Sequence, residues 1–513
     1  MLMSAVEYRE SLRRLRPTVY VGGTQVESVA DDPRLDAGIN ATGITYDFAR
    51  VEGYRPIMVA KGLDGTPTNR FLAINRSRQD LLDKLEAVRL TCQYAGCTQR
   101  YLTHDAFNGL WEATWQIEQR SGGEGHARLK AYIQYAQTND LAIGIAMTDG
   151  KGDRSKRPAD QIEPLSYVRV KERRRDGVVI AGVKAIVTGG PYMHEYLVLP
   201  CRRMREEDRD FAIACAVPID AEGVTVVSRP AGRPGVASAK FSAKFAQSVA
   251  AVHFDDVFVP WDKVFIDGEI DEAHLMTTNY ATHHRHSCIG ARAGFGDLLI
   301  GAGALMSEAN GLDLDRIPHL RDRMVELIKI TEGFYACGVA ASTFGELDPA
   351  GNYRPEQIYS NIGKLLLANQ IYDMHRIAHE VSGGLVVGLP SPEEDHNPAT
   401  AGIVHDLLRG RHDIPYQHRA NVARFVEDLT ASETGGWYSV ISLHGGGSPE
   451  AMKLEILRNY PVQDRKDLVQ SLLDRGALDL GQGPARDSQP GRCCIKGCAA
   501  TDALPTPGSL ATE

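Results

Sequence analysis

The chain has 513 residues, of which 43% are hydrophobic and 24% are charged, so it has enough material for a large core and two or three domains. Its net charge of -9 offers no basic surplus for a phosphate backbone, and we expect no nucleic-acid partner. No stretch approaches the roughly 20 consecutive apolar residues of a membrane span, and residues 1–7 lack the build of a signal peptide. The sequence therefore predicts a cytoplasmic protein without membrane contact.

The front of the chain, residues 1–140, is predicted to be a helical domain. Apolar residues recur at helical spacing from Gln79 to about Asp140. In residues 141–270 the pattern changes to short β-branched runs separated by turns such as Asp176–Gly177. These runs predict a central antiparallel β-barrel or sheet.

Helical spacing returns after Trp261 and predicts a C-terminal helical bundle over residues 271–475, with helices of ~15 to 25 residues. Residues 476–513 are rich in Gly, Pro, Ala, Ser and Thr and are predicted to be a disordered tail. Its cysteines, Cys493, Cys494 and Cys498, are one short of the four ligands of a closed zinc site, so no metal is predicted. The resulting α+β order leaves a cleft between sheet and bundle, where cofactor pockets commonly form.

Five strings stand in a fixed order along the chain: Ala146–Lys156, Thr188–Gly190, Phe254–Phe265, His284–Ser287 and Ser382–Leu385. Their order and spacing resemble the superfamily of 4-hydroxyphenylacetate 3-monooxygenase and 4-hydroxybutyryl-CoA dehydratase. The resemblance covers residues from about 42 to about 473. It implies the fold of the acyl-CoA dehydrogenases, with a helical domain, a β-barrel and a helical bundle.

The resemblance implies that two of these strings hold FAD. Thr148 and Thr188 offer hydroxyls and backbone amides for the flavin edge, while Lys151 and Arg154 supply positive charge for a pyrophosphate. The predicted cofactor-binding residues are Met147, Thr148, Lys151, Asp153, Arg154, Thr188, Gly189 and Gly446. The alternatives are an ordinary turn ion pair between Asp153 and Arg154, and plain turns at the glycines.

The dehydratase branch carries an iron-sulfur cluster on three cysteines and one histidine. Cys97 and His284 match two of these ligands, but Tyr101 and Ala291 stand at the other two positions. A [4Fe-4S] cluster is held by thiolates and does not survive two such replacements. Dehydration is therefore disfavoured, with a shifted set of neighbouring cysteines as the alternative.

In the monooxygenase branch, the resemblance implies that an Arg and a Tyr four residues later meet the substrate, and that a His begins the flavin segment. Arg100 fits the Arg, His104 stands four residues on, and Ile145 occupies the place of the His. The predicted catalytic residues are Arg100, His104 and His284, and the predicted substrate-binding residues are Arg100, Tyr101, His104 and Ile145. Structural roles are the alternatives: Arg100 caps a helix or pairs Asp105, and the histidines only make internal hydrogen bonds.

These features favour a two-component monooxygenase, which takes FADH2 from a separate flavin reductase and hydroxylates a small aromatic or heteroaromatic substrate with O2 through a C4a-hydroperoxyflavin. No G-x-G-x-x-G follows a strand, so the chain lacks a dinucleotide site of its own. The resemblance also implies a homotetramer. The alternatives are a cluster-less, redox-neutral dehydratase or isomerase acting on an acyl-CoA or aryl acid, and an inactive scaffold.

Overall fold

A computed structural model describes residues 2–474, so the predicted tail with its three cysteines lies outside the described residues. The helices are α1 (Ala5–Arg13), α2 (Asp36–Asp47), α3 (Arg55–Met58), α4 (Arg78–Ala95), α5 (Tyr101–Ser121), α6 (Gly125–Thr138), α7 (Ile270–Ala309), α8 (Pro318–Thr343), α9 (Gln357–Ser382), α10 (Leu385–Gly388), α11 (Ala401–Leu407), α12 (Tyr416–Thr430), α13 (Glu433–His444), α14 (Pro449–Asn459) and α15 (Val462–Asp474). The strands are β1 (Thr18–Val21), β2 (Thr24–Gln25), β3 (Val59–Lys61), β4 (Pro67–Asn69), β5 (Ile143–Ala146), β6 (Arg169–Arg173), β7 (Gly177–Thr188), β8 (Glu195–Val198), β9 (Ile213–Pro218), β10 (Val224–Ser228), β11 (Val249–Pro260), β12 (Val264–Asp267), β13 (Glu346–Leu347) and β14 (Tyr353–Arg354).

The central strands form two sheets, which confirms a mixed helix-and-sheet fold. One sheet has the order β2-β1-β10-β11-β7-β6 and the other the order β12-β9-β8-β5. The prediction of purely antiparallel pairing is wrong at two places, because β1 pairs with β10 and β5 pairs with β8 in parallel. Among the described strands neither sheet closes on itself, so the predicted barrel is not confirmed.

The long helix α7 is the axis of the bundle. The sequence predicts its start near His284, but the helix begins at Ile270. Polar residues such as Thr277 and Thr278 interrupt the apolar period in this segment of the sequence. In the helix their hydroxyls donate to backbone carbonyls four residues earlier. By length and composition α7 is apolar enough to cross a membrane, but 61% of that window is buried inside the protein, as in a core helix.

Glycines bring α4 and α5 into contact with the backbone of α7. A Cβ at Gly294 would lie 2.4 Å from the Arg89 carbonyl oxygen of α4, and one at Gly290 would lie 2.7 Å from the Leu85 carbonyl oxygen. A Cβ at Gly109 of α5 would lie 2.9 Å from the Tyr280 Cα. Any larger residue would push the helices apart, so these three glycines determine how closely α4 and α5 approach α7.

Gly294→Ala should lower the melting temperature, because the added methyl group overpacks the contact between α4 and α7 at a cost of about 1–3 kcal/mol. The matched control is Gly301→Ala on the same helix, where a Cβ meets nothing within 4 Å. That variant should gain about 1 kcal/mol from helix propensity. Thermal unfolding of both variants measures the difference, and equal melting temperatures would contradict the packing argument.

A buried ionic contact ties the same three helices together. Asp105 of α5 accepts a hydrogen bond from the Ser287 hydroxyl of α7 at 2.7 Å and lies 3.5 Å from the Lys84 ammonium of α4. Lys84 also donates to the Ser287 hydroxyl at 2.7 Å. All three residues are fully buried, so each charge depends on its partner.

Asp105→Asn should therefore destabilise the protein by about 3–5 kcal/mol, because it leaves the Lys84 ammonium buried without a carboxylate. Asp153→Asn is the control, since Asp153 is exposed and its carboxylate bonds only Ser155 in its own turn. If the Asp105 and Asp153 variants had equal melting temperatures, the carboxylate of Asp105 would not be stabilising the buried Lys84 ammonium.

Candidate functional site

His284 lies on α7 between two tyrosine rings and against the buried carboxylate. Its Nδ1 is 3.0 Å from Asp105 Oδ2, and its ring stacks on Tyr280 and Tyr101 with centroids 5.4 Å and 6.3 Å away. Burial disfavours the charged imidazole, but Cys288 and Asp105 outweigh it and raise the pKa of His284. The ring is therefore held as a proton donor.

The other nitrogen of His284 faces Cys288, one helical turn further along α7. Nε2 is 3.6 Å from Cys288 Sγ, which is half-buried. Burial disfavours the thiolate, but His284, Lys364 and Arg292 outweigh it and lower the pKa of Cys288. Asp105, His284 and Cys288 form a continuous chain of groups that can exchange protons.

The start of α5 completes one wall of the site. The Tyr101 hydroxyl is 3.4 Å from Cys97 Sγ, and both residues are buried. Ala291 is buried and apolar. Among residues 2–474, no group of three His, Cys, Asp or Glu side chains could hold a metal ion. The residues at the four cluster positions therefore do not fit an iron-sulfur cluster.

Arg100 lies apart from this chain of groups. Its Nη2 donates to Asp140 Oδ1 at 2.5 Å, and its guanidinium stacks on Tyr46 at 3.9 Å. It thus pairs with Asp140 rather than with Asp105. Its Nε and Nη1 are buried with no hydrogen-bond partner, so two donors remain for a polar ligand.

His104 is fully buried and precedes Asp105 in α5. Its Nε2 is 3.0 Å from Asn75 Oδ1, and its Nδ1 is 3.7 Å from Asp105, too far for a hydrogen bond. Burial lowers the pKa of His104 to about 4, so the ring is neutral at neutral pH. The structure thus places both His104 and His284 near Asp105, with only His284 hydrogen-bonded to it, and does not bring Arg100 to this carboxylate.

The segment after β5 is fixed by a buried lysine. Lys184 Nζ donates to the Met147 carbonyl at 3.0 Å and lies 2.7 Å from Asp149 Oδ1. Thr148 and Thr188 are half-buried, and within the described residues neither hydroxyl has a hydrogen-bond partner. Both are therefore free for a ligand such as the flavin edge.

Ile145 and Gly189 connect this segment to α5. Ile145 is buried on β5, and the carbonyl of the neighbouring Ile143 accepts the Thr103 hydroxyl of α5 at 2.8 Å. Gly189 has φ +72°, and a Cβ there would lie 3.1 Å from the Gln99 side chain. Only glycine suits this approach, so the end of β7 lies directly beside the start of α5.

The predicted pyrophosphate residues lie on the surface turn that follows. Lys151 is half-buried with φ +70°, a strained value for a residue with a side chain. Asp153 accepts the Ser155 backbone N–H at 3.0 Å and its hydroxyl at 2.7 Å, and Arg154 is exposed. The turn ion pair between Asp153 and Arg154 is not formed, so Arg154 keeps its charge for other partners.

Gly446 lies in the loop after α13, beside His284. Its φ is +77°, and a Cβ there would lie 3.2 Å from Arg285 Cγ and 3.5 Å from His284 Cδ2. Its carbonyl accepts the Arg285 Nε–H at 2.9 Å. The structure thus places Gly446 against the histidine and arginine of α7.

Sequence reasoning missed Asp105 and Cys288 as members of the site, together with Arg292 and Lys364. The sequence does contain a signal for Asp105, Cys288 and Arg292. Cys97, Tyr101 and Asp105 follow at intervals of four residues, as do His284, Cys288 and Arg292. Two stripes at this spacing each lie on one helix face and can meet. Lys364, on α9, has no such signal.

Family models and solved structures agree with this geometry. The model described as 4-hydroxyphenylacetate 3-hydroxylase N terminal matches residues 5–266, and the corresponding C-terminal model matches residues 273–474. The structure of an oxygen-tolerant archaeal 4-hydroxybutyryl-CoA dehydratase from N. maritimus superposes with a TM-score of 0.88 at 33% identity, over 92% of this chain and 95% of that one. The oxygenase component of 4-hydroxyphenylacetate 3-monooxygenase complexed with FAD has a TM-score of 0.80 at 21% identity, over 92% and 98%, which supports the fold.

Two curated relatives represent both branches. The 4-hydroxybutyryl-CoA dehydratase/vinylacetyl-CoA-Delta-isomerase of Clostridium aminobutyricum is 34% identical, over 92% of this chain and 99% of its own. The 4-hydroxyphenylacetate 3-monooxygenase oxygenase component of Thermus thermophilus is 23% identical, over 92% and 98%. These relatives are enzymes. The chain therefore belongs to the 4-hydroxyphenylacetate 3-hydroxylase family, which includes both the monooxygenases and the 4-hydroxybutyryl-CoA dehydratases.

Proposed function

We propose that this chain is the oxygenase component of a two-component flavin monooxygenase, which receives FADH2 from a separate reductase and hydroxylates a small aromatic or heteroaromatic acid with O2. The observation that carries the proposal is the hydrogen bond between Tyr101 and Cys97, at 3.4 Å. A phenol stands where the dehydratase branch needs a thiolate, and Ala291 leaves a second ligand position empty of donors. With two of the four cluster ligands replaced, flavin is the redox group that the remaining residues suit.

The free hydroxyls of Thr148 and Thr188 support FAD binding, with Met147 and Gly189 beside them. Lys151 and Arg154 are the candidates for the pyrophosphate, and Asp153, which shapes that turn, supports them. Once bound and reduced, FAD supplies the reaction with O2.

The chain itself would bind and orient the substrate. His284, whose pKa is raised by Cys288 and Asp105, suits the stabilisation of a phenolate through Nε2. The unpartnered donors of Arg100 support a second polar contact near the start of α5. Ile145 would contribute apolar contact, and His104 would act through Asp105 as a positioning residue.

Rapid mixing of FADH2-loaded protein with oxygen-18 gas and candidate phenols or heteroaromatic acids tests the proposal. We expect one labelled oxygen atom in the product and no product without O2, because the added hydroxyl group comes from O2. Free FADH2 with the same substrates is the control. Product formation without O2, or reoxidation no different from that of free flavin, would contradict the monooxygenase.

Thr148→Val and Thr188→Val should each weaken FAD binding about five-fold, since each loses one hydrogen bond of ~1 kcal/mol without a change of shape. Thr343→Val is the control, because its hydroxyl bonds only the Val339 carbonyl of its own helix. Isothermal titration with FAD measures the three affinities. Equal affinities across the three variants would remove both threonines from the flavin site.

A redox-neutral enzyme is the second candidate. The proton-exchanging chain of Asp105, His284 and Cys288 favours it, as does the identity of 34% with a dehydratase and isomerase. Turnover of an acyl-CoA or aryl acid in the absence of O2, with tightly bound oxidised FAD, would establish this candidate in place of the first.

A further inference from the structure

Buried cations in this protein fall into two groups. Eight lysine and arginine side chains are buried in the described chain: Arg70, Lys84, Arg100, Lys184, Arg285, Arg292, Lys364 and Arg424. Five of them lie within 4 Å of a carboxylate, in the pairs Arg70–Asp83, Lys84–Asp105, Arg100–Asp140, Lys184–Asp149 and Arg424–Asp395. Within residues 2–474, the other three have no carboxylate at that distance.

The three unpaired cations converge on one place, the end of α13 and its glycine loop. Arg292 donates to the Ser442 hydroxyl, and Lys364 donates to the Ser442 carbonyl. Arg285 donates to the Gly446 carbonyl at 2.9 Å and to Asn361 Oδ1 at 2.7 Å. All these acceptors are neutral, so none of the three charges is balanced by its hydrogen bonds.

Burying a cation without a counter-charge is costly, so this arrangement needs a reason. Burial lowers the pKa of Lys364 to about 8, against the opposing effect of Cys288 and together with the charges of Arg292 and Arg285. Arg292 Nη1 is buried and has no hydrogen-bond partner. A buried donor left without an acceptor points to a ligand that supplies one.

The neighbouring side chains cannot balance the charge. The titratable and charged groups facing the three cations are Cys92 of α4, Cys97 before α5, Tyr101 of α5, His284 and Cys288 of α7, His375 of α9, Tyr438 of α13 and Glu455 of α14. Glu455 bonds Arg458 and Gln357 and acts on Arg285 only from beyond ion-pair distance. If Cys288 ionises, it adds one negative charge beside His284, which is itself positive. At least two cations remain without a counter-ion.

We propose that Arg285, Arg292 and Lys364 form an anion site that binds the carboxylate of the substrate beside His284 and Cys288. The assignment to substrate rests on the proposed function, and the arginine fork suits a carboxylate. A flavin pyrophosphate has the same chemistry. Of the predicted flavin residues, Gly446 lies beside these cations of α7 and α9, but Thr148 and Lys151 lie on the sheet side, so we assign the site to the substrate. The substrate's reacting ring would then extend from this site toward His284.

Isothermal titration of the full-length, FAD-loaded protein with benzoate and with benzamide tests the site. We expect benzoate to bind at least ten-fold more tightly than its uncharged counterpart, the ratio expected for a charge-assisted hydrogen bond of about 1.5–3 kcal/mol. Arg292→Gln and Lys364→Met should each remove that preference and leave the affinity for benzamide and FAD unchanged. Lys329→Gln, which removes an exposed charge on α8, should change nothing.

Thermal unfolding without any added anion gives a second readout that a merely structural role would not produce. Lys364→Met removes an unbalanced buried charge and should raise the melting temperature, whereas Lys184→Met leaves Asp149 buried and unpaired and should lower it. A fall for Lys364→Met would mean that its charge is already neutralised, by the chain or by a second copy of it, and would overturn the proposal.

Two results of the titration would also overturn it. One is a loss of FAD affinity in the Arg292 and Lys364 variants with benzoate binding unchanged, which would assign the site to the pyrophosphate. The other is equal binding of benzoate and benzamide. Neither measurement uses O2 or reduced flavin, so failure of the monooxygenase reaction would leave the result on the anion site unaffected.

Discussion

A single buried carboxylate, Asp105, holds the helical part of this protein and its site in one geometry. It lies between Lys84 of α4 and Ser287 of α7, and it fixes the orientation of His284 through Nδ1. Burial raises the pKa of a carboxyl group, but Lys84 and the two adjacent histidines keep that of Asp105 well below its usual value. The charge that joins three helices therefore also acts, after Cys288, to raise the pKa of His284.

This arrangement depends on how closely α7 approaches its neighbours. Glycines of α7 meet the α4 backbone, and on the opposite side Ile289 of α7 fits between Gly338 of α8 and Gly363 of α9. Because neighbouring helices contact α7 on both sides, its rotation about its own axis is fixed. Its polar side chains therefore point toward different neighbouring helices. Its acidic partner lies toward α5, and its arginines lie toward α9 and α13.

Periodicity was sufficient to predict α4 to α6 and most of the bundle, because their apolar faces are regular. The β-branched runs at residues 178–180 and 185–187 predict two separate strands, whereas the structure has one strand, β7, in which a bulge opposite Ala250 and Val252 interrupts the alternation. The family resemblance, not periodicity, favoured Arg100 and His104 as a pair four residues apart, although Arg100 bonds Asp140 and His104 bonds Asn75. Which face of α5 lines the site depends on contacts with residues distant in sequence. The proximity of Lys364 and Arg292 depends on the packing of α9 against α7, which local spacing does not encode.

The order of the three side chains His284, Cys288 and Arg292 along α7 limits the chemistry of the substrate more than any single one of them does. His284, Cys288 and Arg292 lie one turn apart, so the line from the imidazole to the guanidinium spans roughly 12 Å at 1.5 Å per residue. At one end of this line, His284 and Asp105 can exchange a proton. At the other end, beside Ser442, Arg292 carries a positive charge that no carboxylate balances. A molecule that uses both ends has an acidic hydroxyl or C–H group at one end and an anionic group at the other. An aromatic acid meets both requirements, whereas an uncharged phenol would leave the cations of α7 and α9 unbalanced.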